Sequence, residues 1–383
     1  MVEPQSLSTL QDVAQEIVAS IVLPEAEAVD HDARWPERGI RALAEARLTA
    51  LQVPARLGGH GQGLAGLAAI VETISRACPS TAMCFGMHCV ATAVIAARST
   101  PLHDEQFLAP IAAGKHLTTL ALSETGTGSH FFIAETHLAR EGDTFLVTGE
   151  KQFVTNGSHA DSYVVSTRAS SAAAEGDFSC LVVEAGTPGI EWGDPWAGFG
   201  MRGNDSRRMR LNARVPATNL LGNEGDQVWY VFEVVAPYFL IAMAATYVGI
   251  AKAALASATQ HLKERRHSHS AAPLASVPTL QHRIADLWIA VEKSRLLLQH
   301  AARLGDAGSP EALLAILAAK VDAGETGVMV TNEAMTLCGG IAYRENGLGA
   351  RLLRDARASH VMSPTTELLK LWVGRVALGL PLL

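Results

Sequence analysis

Leu120-Ala121-Leu122-Ser123-Glu124-Thr125-Gly126-Thr127-Gly128-Ser129-His130 carries a short apolar run into a loop opened by Gly126 and Gly128. Glycine lets main-chain N–H groups come close to an anion or a flat ring, and Ser123 and Ser129 add hydroxyls. The same residues also suit an ordinary turn. No Gly-Lys-Ser/Thr follows, so this is not a phosphate loop. Downstream, Gly149-Glu150-Lys151-Gln152-Phe153-Val154-Thr155-Asn156-Gly157 reads as a strand ending in an Asn-Gly turn. Two-residue alternation predicts Phe153 and Thr155 on one face. An aromatic surface beside a hydroxyl suits a planar heterocycle, and equally a half-buried strand.

Outward from these segments the texture is uniform within thirds. Leu117–Ser123, Thr136–Arg140, Thr144–Thr148, Ser162–Thr167 and Phe178–Val183 read as short strands, with weaker candidates at Gly189–Trp192 and Arg208–Leu211. Glu141-Gly142-Asp143 supplies a hairpin turn, and Ala172 to Ala174 falls in a surface loop. Upstream, Leu10, Val13, Ile17, Ile21 and Leu23 form a helical stripe, followed by helical segments at Leu43–Leu51, Leu67–Ser75 and Thr81–Ala97. Downstream, helix is predicted from Asp226 to about Arg266, with Pro237 a kink or boundary. A further stripe runs through Leu280, Ile284, Leu287, Trp288, Val291 and Leu298, then Glu311–Cys338, and last Leu348 to about Gly379. The expected fold is α+β, mainly α. It has an N-terminal helical domain (1–116), a central small β-barrel or sandwich (117–222) and a C-terminal helical bundle (223–383).

The bulk numbers point to two or three packed subdomains. The 383 residues are 48% hydrophobic but only 5% aromatic, which favours helices whose small residues allow close approach. A net charge of -7 argues against a general nucleic-acid binder. Five cysteines, an odd number in a large chain, fit a reducing cytoplasm rather than disulfide scaffolding. Cys84, His88 and Cys89 cluster, but no second ligand pair with zinc spacing follows, so no metal is expected. Ala77–Ala97 and Val234–Ala251 lack charged residues and approach membrane-spanning length. Their internal Pro, Ser, His and Tyr residues read instead as buried core helices.

Taken together, the two motifs resemble those of the acyl-CoA dehydrogenase superfamily. The first family pattern is close to T-E-P-x-A-G-S-D, and the chain departs from it with Ser123, Thr125, Thr127 and His130. The second, G-x-K-x-[WF]-I-T-N-G, is nearly intact over Gly149–Gly157. Gly200-Met201-Arg202-Gly203, Val215-Pro216, Asn219–Gly222, Cys338-Gly339-Gly340 and Leu352–Arg357 extend the likeness over the whole chain. The resemblance implies an FAD site between the β domain and the C-terminal helices, with FMN or reduced flavin as a co-substrate the alternatives. It places Leu122 and Ser123 at the isoalloxazine edge and Gly128 and Ser129 by the pyrophosphate or a thioester. Phe153 lies against the ring beside Val154, and Thr155 sits near N5. Arg265 takes the adenine-dinucleotide half, often of a neighbouring subunit's cofactor. Gln281, Thr336, Gly340, Thr365 and Glu367 take other cofactor-lining positions, with Thr336 replacing the usual Gln. A homotetramer or homodimer is implied, with an acyl thioester as substrate and an electron acceptor or a flavin reductase as partner.

One expected residue is missing. Dehydrogenation needs a base for the α-proton, and a carboxylate in an apolar cavity suits that task. The family's glutamate stands where this chain has Ser363. Its alternative position on the first long C-terminal helix holds Phe239. Ser129, Phe239 and Ser363 are therefore the substrate-side candidates, with no catalytic base identified. Glu233 and Glu367 are the nearest carboxylates in sequence. Two enzyme readings follow: an acyl-thioester dehydrogenase with a displaced or unusual base, and a flavin-dependent monooxygenase fed with reduced flavin, which needs no such base. A non-catalytic flavin- or nucleic-acid-binding homologue is the third.

Overall fold

The computed structural model describes residues 4–170, 178–225, 229–269 and 271–382; the Ala172–Ala174 loop lies outside them. Helices α1 (Leu7–Ile17), α2 (Leu23–His31), α3 (Glu37–Glu45), α4 (Leu64–Ser75) and α5 (Pro79–Ala97) form the N-terminal body. The C-terminal body comprises α6 (Ala236–Glu264), α7 (Pro278–Asp306), α8 (Ala312–Cys338), α9 (Leu348–Val361) and α10 (Thr366–Ala377). Between them lie β1 (Thr118–Ala121), β2 (His137–Glu141), β3 (Thr144–Val154), β4 (Ser162–Thr167), β5 (Ser179–Glu184), β6 (Ile190–Trp192), β7 (Arg207–Pro216) and β8 (Leu220–Leu221).

The strands form two four-stranded sheets, ordered β1-β4-β5-β8 and β2-β3-β7-β6, so the middle domain is an open sandwich and not a closed barrel. Phe145, Val147, Met209 and Leu211 of the second sheet meet Tyr163, Val165, Leu181 and Val183 of the first in one core. The other face of the first sheet, carrying Val164, Cys180 and Val182, joins the helical core. This explains two sequence textures. Ser-Tyr-Val-Val-Ser-Thr of β4 is buried at every position because both faces are covered, whereas β7 alternates exposed Arg and buried apolar residues.

The two apolar runs are core helices. The spans Pro79–Ala97 and Tyr230–Glu264 are 89% and 83% buried inside the protein, where α5 and α6 pack on each other and α5 also on β1. Pro237 falls at the start of α6, after a π-helical turn over Tyr230–Val235, and so introduces no interior break. On α5, the imidazole of His88 accepts the Thr118 N–H at Nδ1 (3.1 Å) and lies 2.9 Å from the Thr49 carbonyl at Nε2. These bonds assign a neutral ring protonated at Nε2, and burial pushes its pKa down to about 4. His88 ties β1 to the N-terminal helices.

Three local expectations are corrected. The stripe through Ile21 and Leu23 breaks because Val18–Val22 is a π-helical turn, which shifts the phase and leaves Leu23 exposed while Val22 is buried. The helix expected at Leu43–Leu51 ends at Glu45, since Arg47 adopts a left-handed conformation (φ 61°) before a short 3-10 turn. Trp288, placed on the apolar stripe of α7, is 57% exposed.

A carboxylate joins the two helical bodies. Asp306, at the end of α7, accepts the first free N–H groups of α4, from Leu64 (2.6 Å) and Ala65 (2.9 Å). Asp306→Ala leaves both without that acceptor. The expected cost is about 2 kcal/mol, read as a lower urea midpoint with an unchanged m-value.

Candidate active site

The Gly-rich loop after β1 is closed at its base by a buried ion pair. Lys151 is fully buried on the inward face of β3; its ammonium donates to the Glu124 carboxylate and to Ser166 Oγ at 2.9 Å. Glu124 also accepts from the Thr136 N–H (3.1 Å), the Thr136 hydroxyl (2.6 Å) and the Glu135 N–H. Both ends of the 124–136 loop therefore grip one carboxylate. Burial alone would raise the Glu124 pKa, but Lys151 outweighs it and holds the carboxyl below its ordinary value. The Lys151 ammonium is pushed down to about 8, burial exceeding the help from Glu124. Within the loop Gly128 is exposed with φ 56°, and a Cβ there would meet nothing. Conformation rather than space requires glycine at this position.

Phe153 and Thr155 do not share a strand face. The register slips between Lys151 and Val154, and Phe153 has φ 55°. The bulge turns Phe153 outward to 63% exposure while Thr155 is buried. Phe153 then presents its ring to solvent with Trp196 edge-on at 6.0 Å. The Thr155 hydroxyl lies 3.1 Å from Ser206 Oγ, and the Thr155 carbonyl accepts from Thr119 Oγ1 at 2.9 Å. Asn156, at φ 68°, accepts from the Trp35 indole and donates to the Cys84 carbonyl, both at 3.0 Å. Met201 and Asp205, in the neighbouring loop, also have positive φ (51° and 46°). Asp205 is held by Arg207 (2.8 Å) and His159 (3.2 Å), and His159 stacks on Trp35 at 4.3 Å. The exposed Phe153 and three further non-glycine residues of these two segments thus hold left-handed backbone, a marker of a functional surface.

The turn between α9 and α10 completes this end of the site. Ser363 is half-buried, and its hydroxyl donates to the Ser129 carbonyl at 3.0 Å. The Gly-rich loop and the C-terminal helices are thus in direct contact. Phe131 and Phe132, in the second half of the loop, pack with Phe232 and Trp372 at ring separations of 5.9 to 6.4 Å. Thr365 caps α10 through the Leu368 N–H (3.4 Å). Phe239 is half-buried against the helical core. Glu233 is exposed, and the Glu367 side chain is 82% exposed and pairs with Lys370 at 3.6 Å. Neither carboxylate is enclosed in an apolar site.

The other sequence-predicted residues lie elsewhere. Arg265 ends α6 with its side chain exposed, Gln281 donates to the Ala275 carbonyl at 2.8 Å, and Thr336 and Gly340 are exposed near the end of α8. The Arg283–Glu333 ion pair joins the start of α7 to the same end of α8. Lys320, whose amine reaches the Ser363 turn, is sixteen residues from Thr336 on one helix, or about 24 Å at 1.5 Å per residue. Ser363 and Thr365 therefore lie with Ser129 at one end of the bundle, where the loop start at Leu122 and Ser123 borders the Phe153–Thr155 segment through the Gln152 N–H to Ser123 carbonyl bond, and Arg265, Gln281, Thr336 and Gly340 lie toward the other end.

Models of the N-terminal, middle and C-terminal domains of acyl-CoA dehydrogenase match residues 4–115, 119–213 and 234–378. The chain is 33% identical to cyclohex-1-ene-1-carbonyl-CoA dehydrogenase of Geobacter metallireducens, covering 99% of both. The chain belongs to the acyl-CoA dehydrogenase family. It is also 29% identical to the mitochondrial short-chain specific acyl-CoA dehydrogenase of Bos taurus, over 97% of this chain and 89% of that one. Among solved structures, butyryl-CoA dehydrogenase from Megasphaera elsdenii superposes with a TM-score of 0.91 at 25% identity, over 99% of this chain and 100% of that one. The protein is accordingly an acyl-CoA dehydrogenase-like oxidoreductase of the class acting on CH–CH groups, and the family implies a flavin cofactor.

Sequence reasoning missed the Glu124–Lys151 clamp, although both residues lay inside quoted motifs. The signal was present: Phe145, Val147 and Lys151 occupy alternate, inward positions of β3, and a lysine in an inward register requires a buried partner.

Proposed function

We propose that the protein oxidises an acyl thioester between its α and β carbons, and that it does so without a carboxylate base at position 363. The contact between Ser363 and Ser129 carries this reading, because it brings the α9–α10 turn onto the loop beside Phe153 and Thr155. FAD bound there supplies the hydride acceptor. An exposed aromatic face, a buried hydroxyl and an unencumbered glycine loop fit a flat heterocycle with an anionic tail. Phe153 offers the face, Thr155 offers a hydrogen bond to the ring edge with Ser206 fixing its rotamer, and Gly128 admits close approach of the tail.

The Ser363 proton is committed to the Ser129 carbonyl, and no imidazole or carboxylate among the described residues contacts that hydroxyl to activate it. The α-proton must leave to another acceptor, which predicts slow turnover. Anaerobic titration of the FAD-loaded protein with a panel of acyl-CoA chain lengths should bleach the flavin absorbance with at least one of them. Absence of bleaching across the panel overturns the proposal. Ser363 and Phe239 together favour a second reading, a flavin-dependent monooxygenase. It predicts product only with oxygen and a supplied source of reduced flavin.

The opposite placement of Arg265 favours a cofactor shared between copies in a homotetramer or homodimer. Trp288, Ile289 and Leu296 give α7 an exposed apolar face suited to such packing. Arg265→Ala removes a charged donor worth about 1.5–3 kcal/mol. FAD affinity should therefore fall at least tenfold in a fluorescence titration, with the oligomer unchanged by light scattering. Unchanged affinity would place the adenine half elsewhere.

A further inference from the structure

Lys320 of α8 is 1% exposed. Among the described residues no carboxylate pairs with it, and burial pushes its ammonium down to about 8. An unpaired buried cation is expensive, and an apolar side chain of the same length would fill the space at less cost. Stability therefore does not explain a lysine here, whereas its hydrogen bonds do. The amine donates to the carbonyls of Ser359 (2.8 Å) and Pro364 (3.1 Å). Ser359 lies in the last turns of α9, where carbonyls lack helical partners and the helix dipole favours a cation. Pro364 lies in the second half of the turn, just before α10. The two acceptors bracket Met362 and Ser363. Around them, Thr366 Oγ1 also donates to the Ser359 carbonyl (3.1 Å), and the Tyr247 hydroxyl reaches Met362 Sδ at 3.4 Å. From the turn, Ser363 continues the connection to Ser129 and the Gly-rich loop.

We propose that Lys320 is a positioning residue, whose ammonium clamps both sides of the α9–α10 turn and so sets where residue 363 meets the Gly-rich loop. Its functional consequence rests on the reading that this turn walls the substrate side. The clamp itself is tested independently of activity.

The experiment is hydrogen exchange followed by mass spectrometry on the FAD-loaded wild type, Lys320→Met and a control, Lys252→Met. The control breaks a 2.6 Å ion pair to Glu72, between α6 and α4. In Lys320→Met, exchange should rise tenfold or more in peptides covering 360–366 and 124–130, but not in the buried centre of α8. The control should leave both peptides unchanged. Lys320→Gln keeps an N–H donor and should fall between wild type and Lys320→Met. If the enzyme dehydrogenates acyl-CoA, Lys320→Met should also lower kcat at least tenfold with KM changed less than threefold. Should no acyl-CoA be oxidised, the exchange result still decides the clamp. Unchanged exchange at the turn, an equal rise along the whole of α8, or failure of both Lys320 variants to fold overturns the proposal.

Discussion

Lys151→Met is expected to lower the unfolding free energy by about 3–5 kcal/mol, the cost of leaving one partner of a buried ion pair uncompensated. The pair gives no net bonus over well-packed apolar residues; the loss comes from stranding Glu124, which is buried and still accepts from Thr136 and Glu135. Adding Glu124→Gln keeps an acceptor for Thr136 without the stranded charge, and should recover about half of the loss. Urea unfolding of the two single variants and the double variant measures the coupling. A Lys151→Met protein within 1 kcal/mol of wild type would show that the clamp is dispensable. Because Glu124 is held below its ordinary value of 4.5, the sign of the pH effect follows. The contribution is complete at neutral pH and is lost as pH falls through the folded value, where the carboxyl is protonated. The gap between wild type and Lys151→Met should therefore narrow as the pH falls below the ordinary carboxylate value and through the lower folded one. The same substitution cuts the loop joined at Glu124 from its anchor on β3 and Ser166, so FAD content on purification should fall with stability.

Ser363→Glu should speed flavin reduction by acyl-CoA by on the order of 10²-fold or more, the usual scale of a positioned general base. The wild-type hydroxyl is a donor to Ser129; an ionised glutamate cannot make that bond and supplies an acceptor for the α-proton instead. Stopped-flow bleaching under anaerobic conditions separates this step from reoxidation. A rate within twofold of wild type would mean that position 363 is not where the proton leaves, and would shift weight to the monooxygenase reading. A large rise confirms that the rest of the dehydrogenation geometry is intact and that only the base is missing.

The order of helical, β and helical bodies was legible in the sequence because periodicity is set by which faces are covered. Three-and-four spacing marks helices packed on one side, and alternation marks β7 with one face in water. Leu122 to Ser129 and Phe153 to Thr155 stood out as candidates because the two motifs together resemble those of the family; glycine and turn chemistry alone left an ordinary turn equally open. What sequence periodicity misassigned were phase and direction. A π-helical turn rotated Leu23 outward, and a bulge turned Phe153 away from the face of Thr155. Both insert one residue into a regular count, which composition cannot reveal.

The sequence by itself determined the family, the motifs that mark it and the absence of a carboxylate at 363 and 239, since each is a matter of which residue stands where. Only the tertiary structure decided that Ser363 touches Ser129, that Glu124 and Lys151 close the loop, and that Lys320 braces the turn. It also set Arg265 and Ser363 toward opposite ends of the bundle. These contacts join residues far apart in the chain, and their cost or benefit depends on burial, which exists only once the two helical bodies have closed over the sandwich.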